Sequence, residues 1–186
     1  MDDPIQPISH AGELEMRARF PNRHRIDESK LSKLVQDHVN SSLASFIEKQ
    51  PFFFIATASD IGECDANFRA RNTSDTGRPQ ALLQLKGPKT ILFPDFAGNG
   101  FYNSMGNIHL NPHIGMLFID FQDQRRARIN GRASIEVPTD ETLELWPEAQ
   151  TIIHVDVTQA YNNCSARIPK LKAYTNPQKM VHFGRR

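Results

Sequence analysis

The chain has 186 residues and a mass of 21.1 kDa, which corresponds to about one domain and excludes a multidomain machine. Its 22 Lys and Arg residues nearly balance 21 Asp and Glu residues, so the formal net charge is +1. This charge excludes a protein that binds nucleic acid or anionic lipid through a large overall positive charge. Hydrophobic residues make up 39% and the mean hydropathy is -0.50, as is typical of a globular protein with one core.

The sequence carries no recognisable targeting segment. Residues 1–7 are acidic and contain prolines, without the basic and then apolar segments of a secretory signal. The longest strongly apolar stretches, residues 51–58 and 114–119, are too short to cross a bilayer. We therefore expect a cytoplasmic protein with no membrane partner. Cys64 and Cys164 lie outside any CxxC pair, and we interpret them as reduced structural thiols rather than as a disulfide or a zinc site.

The N-terminal third is predicted to be helical or irregular. Residues 1–28 mix proline, glycine and charge without a sustained hydrophobic period, which indicates an N-terminal arm that docks through a few apolar side chains. From Leu31 to Ile47, apolar residues recur at spacings of three and four. This spacing predicts one helix, or two joined near residues 40–42, with a single apolar stripe that ends at Pro51.

After Pro51 the pattern changes to short apolar runs bounded by turn residues. Strands are predicted at residues 52–58, 64–71, 81–85, 90–93, 113–120, 126–136 and 153–157. Helices are predicted between Phe101 and Leu110 and over residues 140–146. Because tight turns rather than repeated crossover helices separate the strands, the order favours a mainly β fold, an antiparallel sheet or barrel with flanking helices. The domain is predicted over residues 29–171, followed by a basic tail at 172–186.

Gly98, Asn99 and Gly100 form the strongest local signal, because they follow a strand and precede a helix. Backbone amides at a helix N-terminus, next to residues without bulky side chains, form a site suited to phosphate. The glycines can also be explained by a tight turn that binds no ligand, and the segment alone favours this second interpretation. It is neither a Walker loop nor a dinucleotide-binding fingerprint.

Two pairs of arginines have strand spacing. Arg69 and Arg71 are two residues apart, as are Arg126 and Arg128, so each pair is expected on one face of a strand. Guanidinium groups placed in this way can bind a phosphate or a flavin carbonyl. A solvated strand face is the alternative for at least one pair.

The sequence nominates no protein nucleophile or general base. His109 and His113 are four residues apart, but Pro112 interrupts the helix that would align them for a metal ion, so no metal site is predicted. There is no GxSxG motif, and neither cysteine has a neighbouring histidine that would activate it. If the protein is an enzyme, a bound cofactor is expected to supply the chemistry.

The order of these segments resembles the pyridoxamine 5'-phosphate oxidase-like family of flavin-binding split barrels. The resemblance extends over about residues 20–171, and its most diagnostic part is an Asn-Pro pair before an apolar strand, followed by a strand with a basic-Ile-x-Gly-Arg pattern. The segments that carry it are residues 52–58, 62–69, 92–100, Asn107, 111–118 and 128–133.

The resemblance implies a six-stranded antiparallel split β-barrel that forms a homodimer, with FMN in a cleft between the subunits. It places Arg69 as the phosphate ligand and Arg126 near the flavin ring. The full set of cofactor-binding residues implied by position is Asn67, Phe68, Arg69, Asp95, Gly98, Asn99, Tyr102, Asn103, Arg126 and Arg128. The segment 161–171 looks like the ending of an uncharacterised flavin-nucleotide-binding branch of the family rather than of the vitamin enzyme.

The sequence departs from the pattern of the true oxidase. The second strand lacks the lysine of that pattern, the phosphate loop has Gly98 to Gly100 in place of Ser-Arg-Lys, and the C-terminal substrate motif is absent. These differences argue against pyridoxamine phosphate as the substrate.

Three functions remain open at this stage. The leading hypothesis is an FMN-dependent oxidoreductase that acts on a small molecule. The alternative is a non-catalytic protein that binds or sequesters flavin, deazaflavin, haem or another tetrapyrrole. A barrel that binds single-stranded nucleic acid is disfavoured by the balanced charge.

Overall fold

A computed structural model describes residues 8–20, 27–73, 77–163 and 165–171. The five helices of these segments are α1 (Ala11–Arg19), α2 (Glu28–Leu34), α3 (Ser41–Lys49), α4 (Asn103–Leu110) and α5 (Asp140–Leu145). The strands are β1 (Phe52–Ala58), β2 (Cys64–Ala70), β3 (Gln84–Leu85), β4 (Thr90–Phe96), β5 (His113–Asp120), β6 (Arg125–Glu136) and β7 (Ala149–Asn163). In these ranges no helix has the length and apolar character needed to span a membrane. The predicted tail at 172–186, Cys164 and part of the N-terminal arm lie outside the described residues.

The strands form one antiparallel sheet in the order β2-β1-β5-β6-β7-β4-β3. The prediction of a mainly β antiparallel fold with flanking helices is confirmed, and each of the seven strands predicted from the sequence pattern has a counterpart in the described sheet. The six strands implied by the family resemblance are wrong, since the described sheet has seven. Its smallest strand, β3, has only two residues. The sheet is not closed, because β2 and β3 are its two edges.

The sheet nevertheless curls around a single main core. Phe53 on β1 stacks on Phe118 of β5 with ring centroids 5.0 Å apart, and it meets Phe93 of β4 edge-on at 5.3 Å. Strands β1 and β4 are four places apart in the sheet, so contact between their rings requires the sheet to bend back on itself. All three rings are fully buried, and each such aromatic side chain removes a large apolar area from water.

The helical region contains two predicted helices and one that was not predicted. The stripe from Leu31 to Ile47 divides into α2 and α3, and Asn40 begins α3 by accepting a hydrogen bond from the Leu43 amide at 3.0 Å. In the arm, α1 forms where Glu13 accepts a hydrogen bond from the His10 amide. This helix buries none of its residues, so the predicted docking through apolar side chains is not seen in the described part of the arm.

Strand β7 extends beyond the predicted residues 153–157 at both ends. It pairs with β6 on one side and β4 on the other, and a bulge at Asn130 and Gly131 shifts its register with β6. A Cβ at Gly131 would collide with the Asp156 carbonyl oxygen and lie 2.8 Å from Val155 Cγ1. The close approach of β6 and β7 therefore requires glycine here.

We predict that Gly131→Ala lowers the free energy of unfolding by about 1–3 kcal/mol, because the colliding atom belongs to the backbone and cannot rotate away. The matched control is Gly106→Ala in α4, where a Cβ meets nothing within 4 Å. Alanine at that helical position should stabilise the protein by about 0.5–1 kcal/mol. Urea denaturation followed by circular dichroism measures both values, and equal stability of the two variants would contradict the packing argument.

Candidate functional site

A cavity of about 350 Å³ opens where the edge strand β2 comes close to the end of β4. The loop between β4 and α4, the first turn of α4 and one residue of β7 complete its wall. Its lining residues are Asn67, Arg69, Asp95, Phe96, Gly98, Asn99, Gly100, Phe101, Tyr102, Asn103, Ser104, Met105 and Gln150.

Arg69 and Asp95 form an ion pair across this gap. Arg69 Nη2 lies 3.0 Å from Asp95 Oδ1, and the two side chains are only 17% and 15% exposed. Each residue sits on the inner side of its strand, Arg69 opposite buried Phe53 and Asp95 two residues after buried Phe93. The pair therefore joins β2 to β4, which are not neighbours in the sheet.

At Asp95, the effect of burial on the carboxyl pKa outweighs the opposing effect of Arg69. Burial raises the pKa of the Asp95 carboxyl above its ordinary value, and the Arg69 guanidinium opposes that rise by Coulombic attraction and a hydrogen bond. Arg69 also donates from Nη1 to the Phe68 carbonyl at 3.1 Å, whereas its Nε is buried and has no hydrogen-bond partner. The two contacts use two of the five N–H donors of the guanidinium, so Nη1 and Nη2 each keep one donor for a ligand of the cavity that Arg69 lines.

The loop at residues 97–102 leads directly into the N-terminus of α4. Gly100 has a φ of 79° and Tyr102 a φ of 55°, so two residues of the turn adopt left-handed conformations. The Tyr102 hydroxyl accepts a hydrogen bond from Gln150 Nε2 at 2.9 Å. Residues 103–105 line the cavity as the first residues of α4, where backbone amides have no partner within the helix.

Side-chain hydrogen bonds hold α4 against β1 and β2. Ser104 Oγ donates to Asp65 Oδ2 at 3.1 Å, and Asn107 Nδ2 donates to Thr57 Oγ1 at 3.1 Å. Asn111, directly after the helix, donates to the Ser59 carbonyl at 3.3 Å. These contacts fix the helix N-terminus beside Arg69, which is the arrangement an anion site needs.

Seven of the ten sequence-predicted residues line the cavity, namely Asn67, Arg69, Asp95, Gly98, Asn99, Tyr102 and Asn103. Phe68, Arg126 and Arg128 do not. Sequence reasoning missed Gln150 and Ser104. It also missed Asp65, which accepts a hydrogen bond from Ser104 and lies on the same strand face as Asn67 and Arg69. Gln150 has no local signal, since it follows the loop by about fifty residues.

Arg71, the other member of the first arginine pair, has a different setting. Its Nε donates to the Gln50 carbonyl at 2.9 Å, and its Nη2 donates to the Glu48 carbonyl. A cation at the C-terminal carbonyls of a helix is favourable, so Arg71 fastens the end of α3. Only Arg69 of this pair faces the cavity.

The three remaining predicted residues lie on the outer side of the sheet. Strand register places Phe68, Phe54, Leu117 and Arg128 in one row across β2, β1, β5 and β6. Phe68 is 59% exposed and Phe54 37% exposed. Arg126 lies beside this row, and its Nε is buried without a hydrogen-bond partner. The outer row therefore combines exposed aromatic rings with arginines.

Comparison with solved structures supports the fold. HupZ from Group A Streptococcus superposes with a TM-score of 0.52 and 18% identity, over 67% of this chain and 93% of that one. A candidate pyridoxamine 5'-phosphate oxidase from Lactobacillus delbrueckii gives a TM-score of 0.51 and 9% identity, over 68% of this chain and 95% of that one. No curated protein matches the chain. At these identities the superpositions show a shared fold alone.

The sequence profile described as pyridoxamine 5'-phosphate oxidase matches residues 40–164. That range is about two thirds of the chain and contains every strand of the sheet as well as the cavity-lining residues. The chain therefore belongs to the pyridoxamine 5'-phosphate oxidase family.

Proposed function

We propose that the protein is an FMN-dependent oxidoreductase that acts on a small molecule and works as a homodimer. The observation that supports this most is the convergence of Arg69 and the N-terminus of α4 on one cavity. The N–H donors of Arg69 that Asp95 and Phe68 do not use, together with the helix amides that have no partner within α4, are the donors that a phosphate group needs.

The loop of the cavity has room for a large ligand. A Cβ added at Gly98 or Gly100 would meet nothing within 4 Å, so backbone rather than side chains forms this part of the wall. Asn67, Asn99 and Asn103 add amide groups that can donate to or accept from a polar ligand. In this assignment, Arg69 and residues 103–105 hold the phosphate, and the asparagines orient the remainder of the cofactor.

Bound FMN would supply the redox chemistry by accepting a hydride or electrons from the substrate and passing them to an acceptor. The residues of the chain would bind the cofactor, orient it and exclude water from one of its sides. Arg126 would contribute a positive charge near the ring, as the family resemblance implies.

A second copy of the chain would explain the outer row. Phe54 and Phe68 are exposed aromatic residues directly opposite each other on neighbouring strands, and Leu117 extends the apolar surface. Covering such a patch is favourable by about 25 cal/mol for each Å² of apolar surface removed from water. A homodimer formed through this row would also bring Arg126 and Arg128 next to a subunit boundary, where they could complete a cofactor site.

We predict that Arg69→Gln weakens FMN binding by about 10- to 100-fold, since it removes a charge-assisted hydrogen bond to the phosphate. Riboflavin, which has no phosphate, should lose little affinity. Quenching of flavin fluorescence measures both dissociation constants. Lys49→Gln is the matched control, because it removes one positive charge from the exposed end of α3. Equal losses for FMN and riboflavin would show that Arg69 does not bind the phosphate.

We predict that Phe68→Glu weakens the homodimer by at least about tenfold, because the substitution places a charge in an apolar interface. Analytical ultracentrifugation gives the dissociation constant of the dimer. Ile61→Glu serves as the control, because Ile61 is 78% exposed in the turn between β1 and β2. A dimer that forms unchanged in Phe68→Glu would assign the interface to another surface.

The catalytic hypothesis and the binding-protein hypothesis differ in turnover. We expect the protein to copurify with, or take up, a chromophore with the visible spectrum and mass of FMN, and its bound flavin to be reduced by a nicotinamide or deazaflavin donor under anaerobic conditions. A colourless protein that gains no flavin absorbance on incubation with FMN would overturn the proposal. Saturable haem binding without turnover would support the sequestering protein instead.

A further inference from the structure

Gln150 is the extra residue of a β-bulge beside the cavity. Asp95 of β4 lies opposite Thr151 of β7. The next residue of β4, Phe96, lies opposite Ala149, so the ladder between the two strands skips Gln150. A bulge of this kind changes the direction of a side chain and is common next to ligand sites. Gln150 lines the cavity together with Asp95 and Phe96, so the extra residue adds a polar side chain to its wall.

Without the bulge, Gln150 would be expected on the other side of the sheet. Alternate residues of a strand share a face, so regular alternation would place Gln150 on the face of Ile152. Ile152 packs with Trp146 in a separate hydrophobic cluster, whereas its neighbour Ile153 belongs to the main core. Because Gln150 lines the cavity instead, the bulge directly changes the composition of the site.

Tyr102 reaches Gln150 from the loop that precedes α4. Its φ of 55° and ψ of 23° define a left-handed conformation, which is unfavourable for a residue with a Cβ. Its carbonyl accepts a hydrogen bond from the Gly106 amide at 2.7 Å, so α4 holds this part of the main chain. Its hydroxyl accepts a hydrogen bond from Gln150 Nε2 at 2.9 Å. Two irregular backbone positions, a bulge and a left-handed residue, therefore bring these two side chains together at the cavity.

This hydrogen bond leaves each side chain with one polar group for a ligand. A phenol hydroxyl can both accept and donate, and Tyr102 acts towards Gln150 as the acceptor. The O–H proton of Tyr102 has no acceptor among the described residues. The Gln150 side chain donates through Nε2 and keeps Oε1 as an acceptor. The pair thus offers one donor and one acceptor to the cavity that both residues line.

A hydroxyl group is the ligand group that matches a donor beside an acceptor, because a hydroxyl is itself both. An ionised phosphate or carboxylate only accepts, so it would leave Gln150 Oε1 without a donor. Arg69 and the first amides of α4 provide the donors for an anion elsewhere in the same cavity. The lining residues therefore match a ligand that carries both an anionic group and hydroxyl groups.

We propose that Tyr102 and Gln150 recognise a polyol chain of the ligand. The Tyr102 O–H donates to one of its hydroxyl groups, and Gln150 Oε1 accepts from the same or a neighbouring hydroxyl. Gln150 is also a positioning residue, since its Nε2 occupies the phenol oxygen and keeps the O–H proton of Tyr102 available to the ligand. This inference rests on the proposed binding of FMN, which carries a polyol chain between its ring system and its phosphate.

The test compares three flavins with the same ring system: FMN, riboflavin, which lacks the phosphate, and lumiflavin, which lacks both the phosphate and the polyol chain. Tyr102→Phe should weaken FMN and riboflavin by the same factor of about 3 to 10, because one hydrogen bond between uncharged groups is lost. Lumiflavin should bind Tyr102→Phe and the wild type with equal affinity. Quenching of flavin fluorescence measures each dissociation constant.

Gln150→Glu tests the positioning role with riboflavin, which has no phosphate for the new charge to repel. The carboxylate can only accept, so it would take the O–H proton of Tyr102 away from the ligand. Riboflavin should therefore lose about as much affinity in Gln150→Glu as in Tyr102→Phe, and the double variant should lose no more than Tyr102→Phe alone. The matched control is Gln122→Glu, which adds the same charge to an exposed turn between β5 and β6 and should leave riboflavin binding unchanged.

The outcomes separate this inference from the proposed function. Unchanged riboflavin affinity in Tyr102→Phe would overturn the inference and leave the proposed function standing. An equal loss for lumiflavin would also overturn it, because Tyr102 would then act on the ring system or on the fold. Additive losses in the double variant would overturn the positioning role of Gln150. No binding of any flavin by the wild type would reject the proposed function together with the inference.

Thermal unfolding shows whether each variant is folded. Tyr102 is 55% exposed and Gln150 is exposed, so we expect every variant to unfold near the wild-type temperature. If Tyr102→Phe proves unstable, the comparison of riboflavin and lumiflavin in Gln150→Glu tests the same hydrogen bond. A loss confined to riboflavin would support the inference, and equal behaviour of the two flavins would overturn it.

Discussion

The Arg69–Asp95 ion pair connects the two parts of the sheet that hydrogen bonding leaves apart. Strand β2 is an edge strand and β4 lies four strands beyond its neighbour β1, yet the two side chains meet at 3.0 Å. The ring contact between Phe53 and Phe93 brings these strands together from the core side. The bend of the sheet that brings Phe53 against Phe93 therefore also brings Arg69 within reach of Asp95.

The local features of this site were predictable from the sequence, but the contact between β2 and β4 at this site was not. The run of aromatic residues at β1 and the glycines around Asn99 are strong local patterns, and the family resemblance placed Arg69 and Asp95 at one end of a cofactor. Their direct pairing depends on the bend of the whole sheet, to which no local pattern refers. For the same reason Gln150, on a strand far along the chain, could not be linked to Tyr102.

Errors in the fold prediction occurred where local signals are weakest. The strand predicted at residues 81–85 is reduced to the two residues of β3, and the six-strand count came from the family resemblance rather than from the pattern of this chain. Helix α1 buries no apolar face, so it lacks the hydrophobic period by which helices are recognised. In contrast, α3 buries Leu43, Phe46 and Ile47, and this stripe was legible in the sequence.

Strand β2 links the cavity to the proposed subunit interface, because alternate residues of a strand point to opposite faces. Arg69 faces the cavity and Phe68 faces outward, and the Phe68 carbonyl accepts a hydrogen bond from Arg69 Nη1. A partner subunit that packs on Phe68 would restrict the backbone that carries Arg69, the proposed phosphate-binding residue. Because β2 is an edge strand with a sheet neighbour on one side only, contact with a partner subunit would stabilise it. Dimer formation and phosphate binding would then stabilise the same segment, and each would strengthen the other.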